Sequence, residues 1–171
     1  ARAAELAGFI RGLASTDKAQ VGHFNDSDSV LDFMGSAKLK KLGSLGTSCP
    51  DHFLRTKVKP MILDLPGDTE LEKVKARLLV LHEQYRKDYE AYYKKHAKKG
   101  SPAMRGADPA IVLIPGIGMF SFGQNKQTAR VAGEFYLNAI TVMRGAEAIS
   151  SYSPISLSLI HISEPTRQAE N

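Results

Sequence analysis

Ala110-Ile111-Val112-Leu113-Ile114-Pro115-Gly116-Ile117-Gly118-Met119-Phe120-Ser121-Phe122-Gly123 is the stretch that decides the fold. Its first five residues are a continuous apolar run, suited to a strand buried on both faces. Pro115 to Gly118 supplies turn residues, and Met119 to Phe122 reads as a second strand ending at Gly123. A helix is expected to follow over about Asn125 to Ile149. Its apolar face would be Val131, Phe135, Ala139, Ile140, Met143 and Ala146. Gly133 and Gly145 weaken that helix, and close packing against a neighbour is the expected compensation.

Towards the N-terminus, the strongest helical pattern runs from Thr69 to Lys99. Thr69 and Glu72 have capping-box spacing, and Glu70 adds acid to the first turn. Leu71, Val74, Leu78, Leu81, Tyr85, Tyr89 and Tyr92 recur at steps of three and four, as one apolar stripe. Glu83 with Lys87, and Glu90 with Lys94, add favourable pairs four apart. Lys94, Lys95, Lys98 and Lys99 suit the negative helix end, Gly100 can cap it, and Pro102 prevents continuation. Met61 to Leu65 reads as a strand, His52 to Thr56 as irregular or extended chain, and Gly35, Gly43 and Gly46 as punctuation of a loop-rich connection. Val30, Leu31, Phe33 and Met34 follow helix N-cap residues at Asn25 to Asp28. Gln20 to Phe24 suits a short strand, and Leu6, Phe9, Ile10 and Leu13 have helical spacing. Helices alternating with strands argue for an α/β fold, a layered sheet with flanking helices.

The chain has 171 residues, 43% hydrophobic and 24% charged, with a net charge of +5. That suits one globular domain with a real core rather than a disordered chain. No apolar run approaches the roughly 18 residues of a membrane helix, and no basic start precedes an apolar stretch as in a secretory signal. The lone Cys49 excludes an internal disulfide and fits a reducing, cytoplasmic setting. The first residue is Ala1 rather than Met, as expected of a piece of something longer. Leu157-Ser158-Leu159-Ile160-His161-Ile162-Ser163-Glu164-Pro165-Thr166-Arg167 resembles a translated sequencing-library adapter. The expected organisation is therefore an α/β module over residues 1–153 and a non-native tail over 154–171.

Four places invite chemistry. The histidines outside the tail, His23, His52, His82 and His96, show no HxH or HExxH spacing. On one helix, His82 and His96 would sit roughly 21 Å apart at about 1.5 Å per residue, too far for one metal. Gly116-Ile117-Gly118 follows a strand but lacks a third glycine, since position 121 is Ser, so a tight strand connection is the better reading. Gly46 to Lys57 crowds Cys49, Asp51, His52, Arg55 and Lys57 together. Arg55 and Lys57 are candidates to hold a phosphate or carboxylate, with Asp51 and His52 beside them. Cys49 would be a nucleophile only if a neighbour such as His52 lowered its pKa. The plainer reading is an ordered loop, with Asp51 capping a helical turn and Cys49 buried. The basic stretch Lys94 to Lys99 follows four tyrosines and offers a third possibility, contact with nucleic acid or another anion. Its simpler role is to complement the helix end.

Three stretches carry a family resemblance. They are Leu45 to Lys57, Val112 to Gly123, and Ala132-Gly133-Glu134-Phe135-Tyr136 through Val142-Met143-Arg144-Gly145-Ala146-Glu147-Ala148. Together they resemble the middle segment of bacterial bifunctional rhamnulose-1-phosphate aldolase/short-chain dehydrogenases, over essentially Ala1 to Tyr152. The resemblance implies a parent in which a zinc-dependent class II aldolase domain cleaves rhamnulose 1-phosphate. A dehydrogenase domain using NAD would then act on lactaldehyde. It implies partners in those missing domains of the same chain, homo-oligomerisation, and no role for nucleic acid or membrane. No catalytic or metal residue carries over. Class II aldolases take zinc from an HxH pair and a later His, and Pro115, Gly116 and Ile117 stand where that later His would fall. Tyr93 has Ala97 four residues on, and Tyr92 has His96, so the dehydrogenase Tyr-x-x-x-Lys pattern is absent. The expected fold is a class II aldolase-like module without its metal site, non-catalytic alone, that connects and oligomerises. The alternative is that residues 47–57 contribute phosphate binding to the adjacent aldolase site.

Overall fold

The computed structural model describes residues 1–97, 99, 101, 103–104, 106–156. Lys98, Gly100 and Pro102, expected at the end of the long helix, lie outside the described residues, as does the adapter-like stretch from Leu157. In chain order the elements are α1 (Arg2–Leu13), β1 (Val21–Asn25), α2 (Asp28–Gly35), α3 (Leu39–Ser44), α4 (Pro50–Thr56), β2 (Met61–Ile62), α5 (Leu71–His96), β3 (Ile111–Ile114), β4 (Gly118–Gly123) and α6 (Lys126–Ile149). The strands form one sheet in the order β1-β4-β3-β2. β4 pairs antiparallel with β1 and with β3, while β2 runs parallel to β3.

The apolar run of β3 explains the layers. Successive strand side chains point to opposite faces. Ile111 and Leu113 join a core built with α2 and α6, alongside Met119 of β4. Val112 and Ile114 join a second core against α1 and α5, alongside Phe120 and Phe122. All four β3 residues are fully buried, as a strand covered on both faces requires. The sheet is thus the middle of three layers. The turn Pro115–Ile117 joins β3 to β4, with Gly116 at φ +77, a conformation that costs glycine nothing.

Several local expectations need correction. The segment His52 to Thr56 is helical, because Pro50 at the first turn of α4 presets a helical φ. A helix, α3, occupies part of the expected loop-rich connection, burying Leu39 and Leu42. At the start of α5 the cap is Glu70, whose carboxylate accepts from the Glu72 amide at 2.9 Å and the Lys73 amide at 3.3 Å. The Thr69–Glu72 box is therefore not what closes this end. The α5 stripe buries Val74, Leu78 and Tyr85, and adds His82. Tyr89 and Tyr92 are half-buried. On α6, Ala139, Ile140 and Met143 are buried as expected, but in its first half Ala132 and Tyr136 are buried in place of Val131 and Phe135. Gly133 is packed as expected: a Cβ there would lie 2.7 Å from the Ser121 hydroxyl. Gly145 is not, having nothing within 4 Å. The chain also stays attached past 153, where the Ile155 amide donates to the Thr47 carbonyl at 3.0 Å.

Candidate functional site

The densest polar cluster gathers at Asp108, just before β3. Its carboxylate accepts from the Thr16 amide (2.7 Å), the Thr16 hydroxyl (2.6 Å), the Asp17 amide (3.1 Å) and Arg86 Nη1 (2.6 Å). His82 Nε2 lies 2.9 Å from Oδ1. Asp17 in turn takes both Arg86 nitrogens, at 2.7 and 3.0 Å, and the Ala107 amide at 2.8 Å. Burial by itself would raise the Asp108 carboxyl. Hydrogen bonds from His82, Thr16, the Asp17 amide and Arg86 outweigh it and hold the group well below the usual carboxylate range. The Arg86 hydrogen bond is the main reason that Asp17 also lies low.

Lys57 reaches the same cluster from the end of α4. It is the one non-glycine residue at positive φ among the described residues, at +60. The left-handed conformation is costly for a side chain with a Cβ. What holds it is the far end of the side chain. Nζ donates to the Gly106 carbonyl at 3.0 Å and the Asp108 carbonyl at 2.5 Å, and lies 4.3 Å from the centre of the Tyr89 ring. Burial pulls the ammonium down to about 8, against the pull of Asp108 and Asp17. Four segments therefore meet: the turn after α1, the end of α4, successive turns of α5 and the loop before β3. Their polar groups are spent on one another, which makes the cluster a clamp.

Beside the clamp opens a cleft of about 930 Å³, lined by Asp17, Gln20, Arg55, Lys57, Asp108 and Thr128 among others. The four residues singled out in the 47–57 segment divide. Arg55, which is exposed, and Lys57 share the cleft wall. His52 is buried and turned toward α6, its ring edge-on to Phe135 at 5.3 Å and Nε2 3.4 Å from Asn138 Nδ2. Burial lowers its pKa, with Asp51 opposing. Asp51 sits in the first turn of α4, and Cys49, half-buried, is the residue before it. At the basic helix end Lys94 and Lys95 are exposed. Tyr89 lies under Lys57, Tyr92 packs near Phe53 at 6.1 Å, and the His96 ring lies tilted against Tyr92 at 4.7 Å.

Of the clamp residues, only His82 is marked by the sequence, and that as a possible metal ligand; Thr16, Asp17, Arg86 and Asp108 are not singled out. One signal exists: His82 and Arg86 are one turn apart, beside the apolar stripe, so they share a face. Nothing in the chain announces that Asp17 and Asp108 meet them.

Zinc and NAD, the groups of the expected parent, do not fit the residues present. No three His, Cys, Asp or Glu side chains gather as metal ligands among the described residues. The Gly116–Gly118 turn joins two antiparallel strands, so no helix N-terminus follows it to receive a pyrophosphate. No helix among the described residues is long and apolar enough to cross a membrane.

Fold and site together define a three-layer α/β module in which a cluster of ionisable groups forms an internal clamp. The sequence matches the family described as "Aldolase class II, second domain" over residues 1–160, and the chain belongs to that family. It is also 33% identical over 144 residues to a protein of Bacillus subtilis (strain 168) named "Uncharacterized oxidoreductase YuxG". That alignment covers 84% of this chain and 21% of the relative, so the chain spans about one fifth of the relative's length. No solved structure matches it.

Proposed function

We propose that this chain is a connecting module of a longer two-activity enzyme, and that it has no turnover of its own. In that reading the parent pairs a rhamnulose-1-phosphate aldolase with a short-chain dehydrogenase acting on the lactaldehyde released. The module joins the two catalytic domains, which bring the zinc and the NAD. Two findings support it: membership of a second-domain aldolase family, and an oxidoreductase-named relative about four times as long. The observation that carries the non-catalytic part is the clamp. Asp17, His82, Arg86 and Asp108, the best-placed acid, base and electrophile candidates, are bonded to one another, so even Asp17 and Asp108, which line the cleft, have their carboxylates engaged within the clamp. The test is direct. Purified chain given Zn²⁺ and rhamnulose 1-phosphate releases no dihydroxyacetone phosphate, and given lactaldehyde and NAD it produces no NADH. Turnover in either assay overturns the proposal.

A second reading is favoured by one observation, the shared position of Arg55 and Lys57 on the cleft wall. There the module lends phosphate-binding groups to the aldolase site beside it. Inorganic phosphate then raises the melting temperature, by the equivalent of about 2.7 kcal/mol at a hundred times its Kd. Arg55→Gln removes the rise. An unchanged melting temperature leaves the first reading alone.

A further inference from the structure

The two edges of the sheet are guarded differently. β2 is two residues long and follows Pro60, and a short edge beside a proline offers little to another strand. β1 is five residues, Val21-Gly22-His23-Phe24-Asn25, with no Lys, Arg, Asp, Glu or Pro. Among the described residues it pairs with β4 alone, so its outer edge faces no other strand. Val21 is 40% exposed. Such an edge is a ready template for a further strand, and natural proteins ordinarily blunt one of this length.

The sequence around β1 says which strand fits. If a second β1 lies antiparallel across a two-fold axis at His23, each residue faces the one whose number completes 46. Val21 then faces Asn25 of the other copy, and Gly22 faces Phe24. Lys18 comes to the end carrying Asp28, and Gln20 to the end carrying Asp26. Lys18, in the bend before β1, and Asp26 and Asp28, in the loop after it and at the first residue of α2, are all exposed, so beyond the paired strands each copy brings a positive end toward a negative one. Within each copy Phe122 already covers Gly22 and Phe24 packs on Phe120, so the Gly22–Phe24 pairing sets a small residue beside a large one whose ring is held in its own core. A hollow of about 540 Å³ lies beside the edge, lined by Gly8 and Arg11 of α1 with Val21, Gly22 and Phe24. Gly8 has nothing within 4 Å of where its Cβ would be, so α1 leaves the hollow open.

The geometry points to a homodimer of this chain, formed by antiparallel pairing of β1 with β1 of a second copy into one continuous eight-stranded sheet. The interface is isologous, so one pairing satisfies both copies and closes the assembly. The inference stands apart from the proposed connecting role, because it rests on the strand and its flanks and not on the clamp or the cleft.

The test uses the full 171-residue chain. Light scattering coupled to size exclusion reads twice the monomer mass. Lys18→Asp sets like charges at both ends of the pairing and weakens the dimer by about tenfold in Kd. Adding Asp28→Lys to it restores the affinity. Both positions are exposed, and an unchanged far-UV circular dichroism spectrum confirms that each variant is folded. Register is read by crosslinking in a Cys49→Ser background. Residues directly opposite in an antiparallel pair have Cα atoms about 4.5–5.5 Å apart, within disulfide range. His23→Cys therefore forms a covalent dimer on oxidation. Val21→Cys does so only together with Asn25→Cys. A monomer at every accessible concentration overturns the inference. So does a dimer that ignores the charge swap and fails to crosslink through position 23.

Discussion

The helix-bound segment 50–57 and the loop 106–110 border the same cleft but hold their charges in opposite ways. In 50–57, Asp51, His52, Arg55 and Lys57 are close in sequence, yet the turn of α4 sends them in different directions: His52 into α6, Arg55 outward, Lys57 across to the loop. In 106–110, Asp108 is the only ionisable residue, and it collects Thr16, His82 and Arg86 from positions 22 to 92 residues away. A helix disperses neighbours around its circumference, whereas a sheet with helices on both faces gathers distant residues at its ends. Crowding of reactive residue types in a sequence is therefore weak evidence of a site, and the fold decides which groups meet.

The contrast can be broken most forcefully at Asp108. Its carboxylate is 8% exposed and neutralises an arginine. Asp108→Ala leaves Arg86 and His82 without their acceptor and the Thr16 and Asp17 amides unsatisfied. A loss of about 4 kcal/mol is expected in denaturant unfolding, with a melting temperature lower by roughly 10 °C. A smaller effect is expected for the more exposed pair Arg86–Asp17. A double-mutant cycle with Arg86→Met and Asp17→Asn should give a coupling of about 1 kcal/mol, from unfolding curves of all four proteins. At the other end of the scale, Asp51→Asn and Arg55→Gln should each change stability by less than about 0.5 kcal/mol in the same measurement.

The pH dependence sharpens the same comparison. Asp108 and Asp17 are held below the ordinary carboxylate range in the folded chain. Below the ordinary value near 4 the unfolded chain binds protons that the folded chain refuses. The stability these groups confer is thus complete above about pH 4 and is lost as pH falls further. The acid limb of the stability curve should flatten in Asp108→Ala. Lys57 acts in the alkaline range. Burial pushes its folded pKa down to about 8, from an ordinary 10.5. Between those values the unfolded chain holds the extra proton, so stability should rise slightly with pH from about 8 to about 10. Lys57→Met should remove that rise.

The sequence reveals the skeleton well, for identifiable reasons. The β3–β4 hairpin shows because an apolar run, a Pro-Gly turn and a second apolar run have few other solutions. The long helix α5 shows through its stripe, since a surface helix must bury one face. The same stripe conceals the clamp. His82 lies on the buried face but is polar, and an apolar pattern passes over it. Which residues the first half of α6 buries is also invisible locally. Val131 with Phe135 and Ala132 with Tyr136 have the same spacing, and packing against Ser121 at Gly133 chooses between them. The α4 helix is too short for periodicity to reveal, and Pro50 was its one marker. Asp17 and Asp108 lie 91 residues apart, and no local rule links them.

The most direct test of the clamp is amide hydrogen exchange at Thr16 and Asp17, whose N–H groups lie in an otherwise exposed turn and donate to Asp108. The account predicts strong protection of both amides in the unaltered chain, and exchange at least about tenfold faster in Asp108→Asn, as loss of an anchoring bond to a charged acceptor implies. Exchange at open-loop rates in the unaltered chain, or protection that survives the substitution, would contradict it.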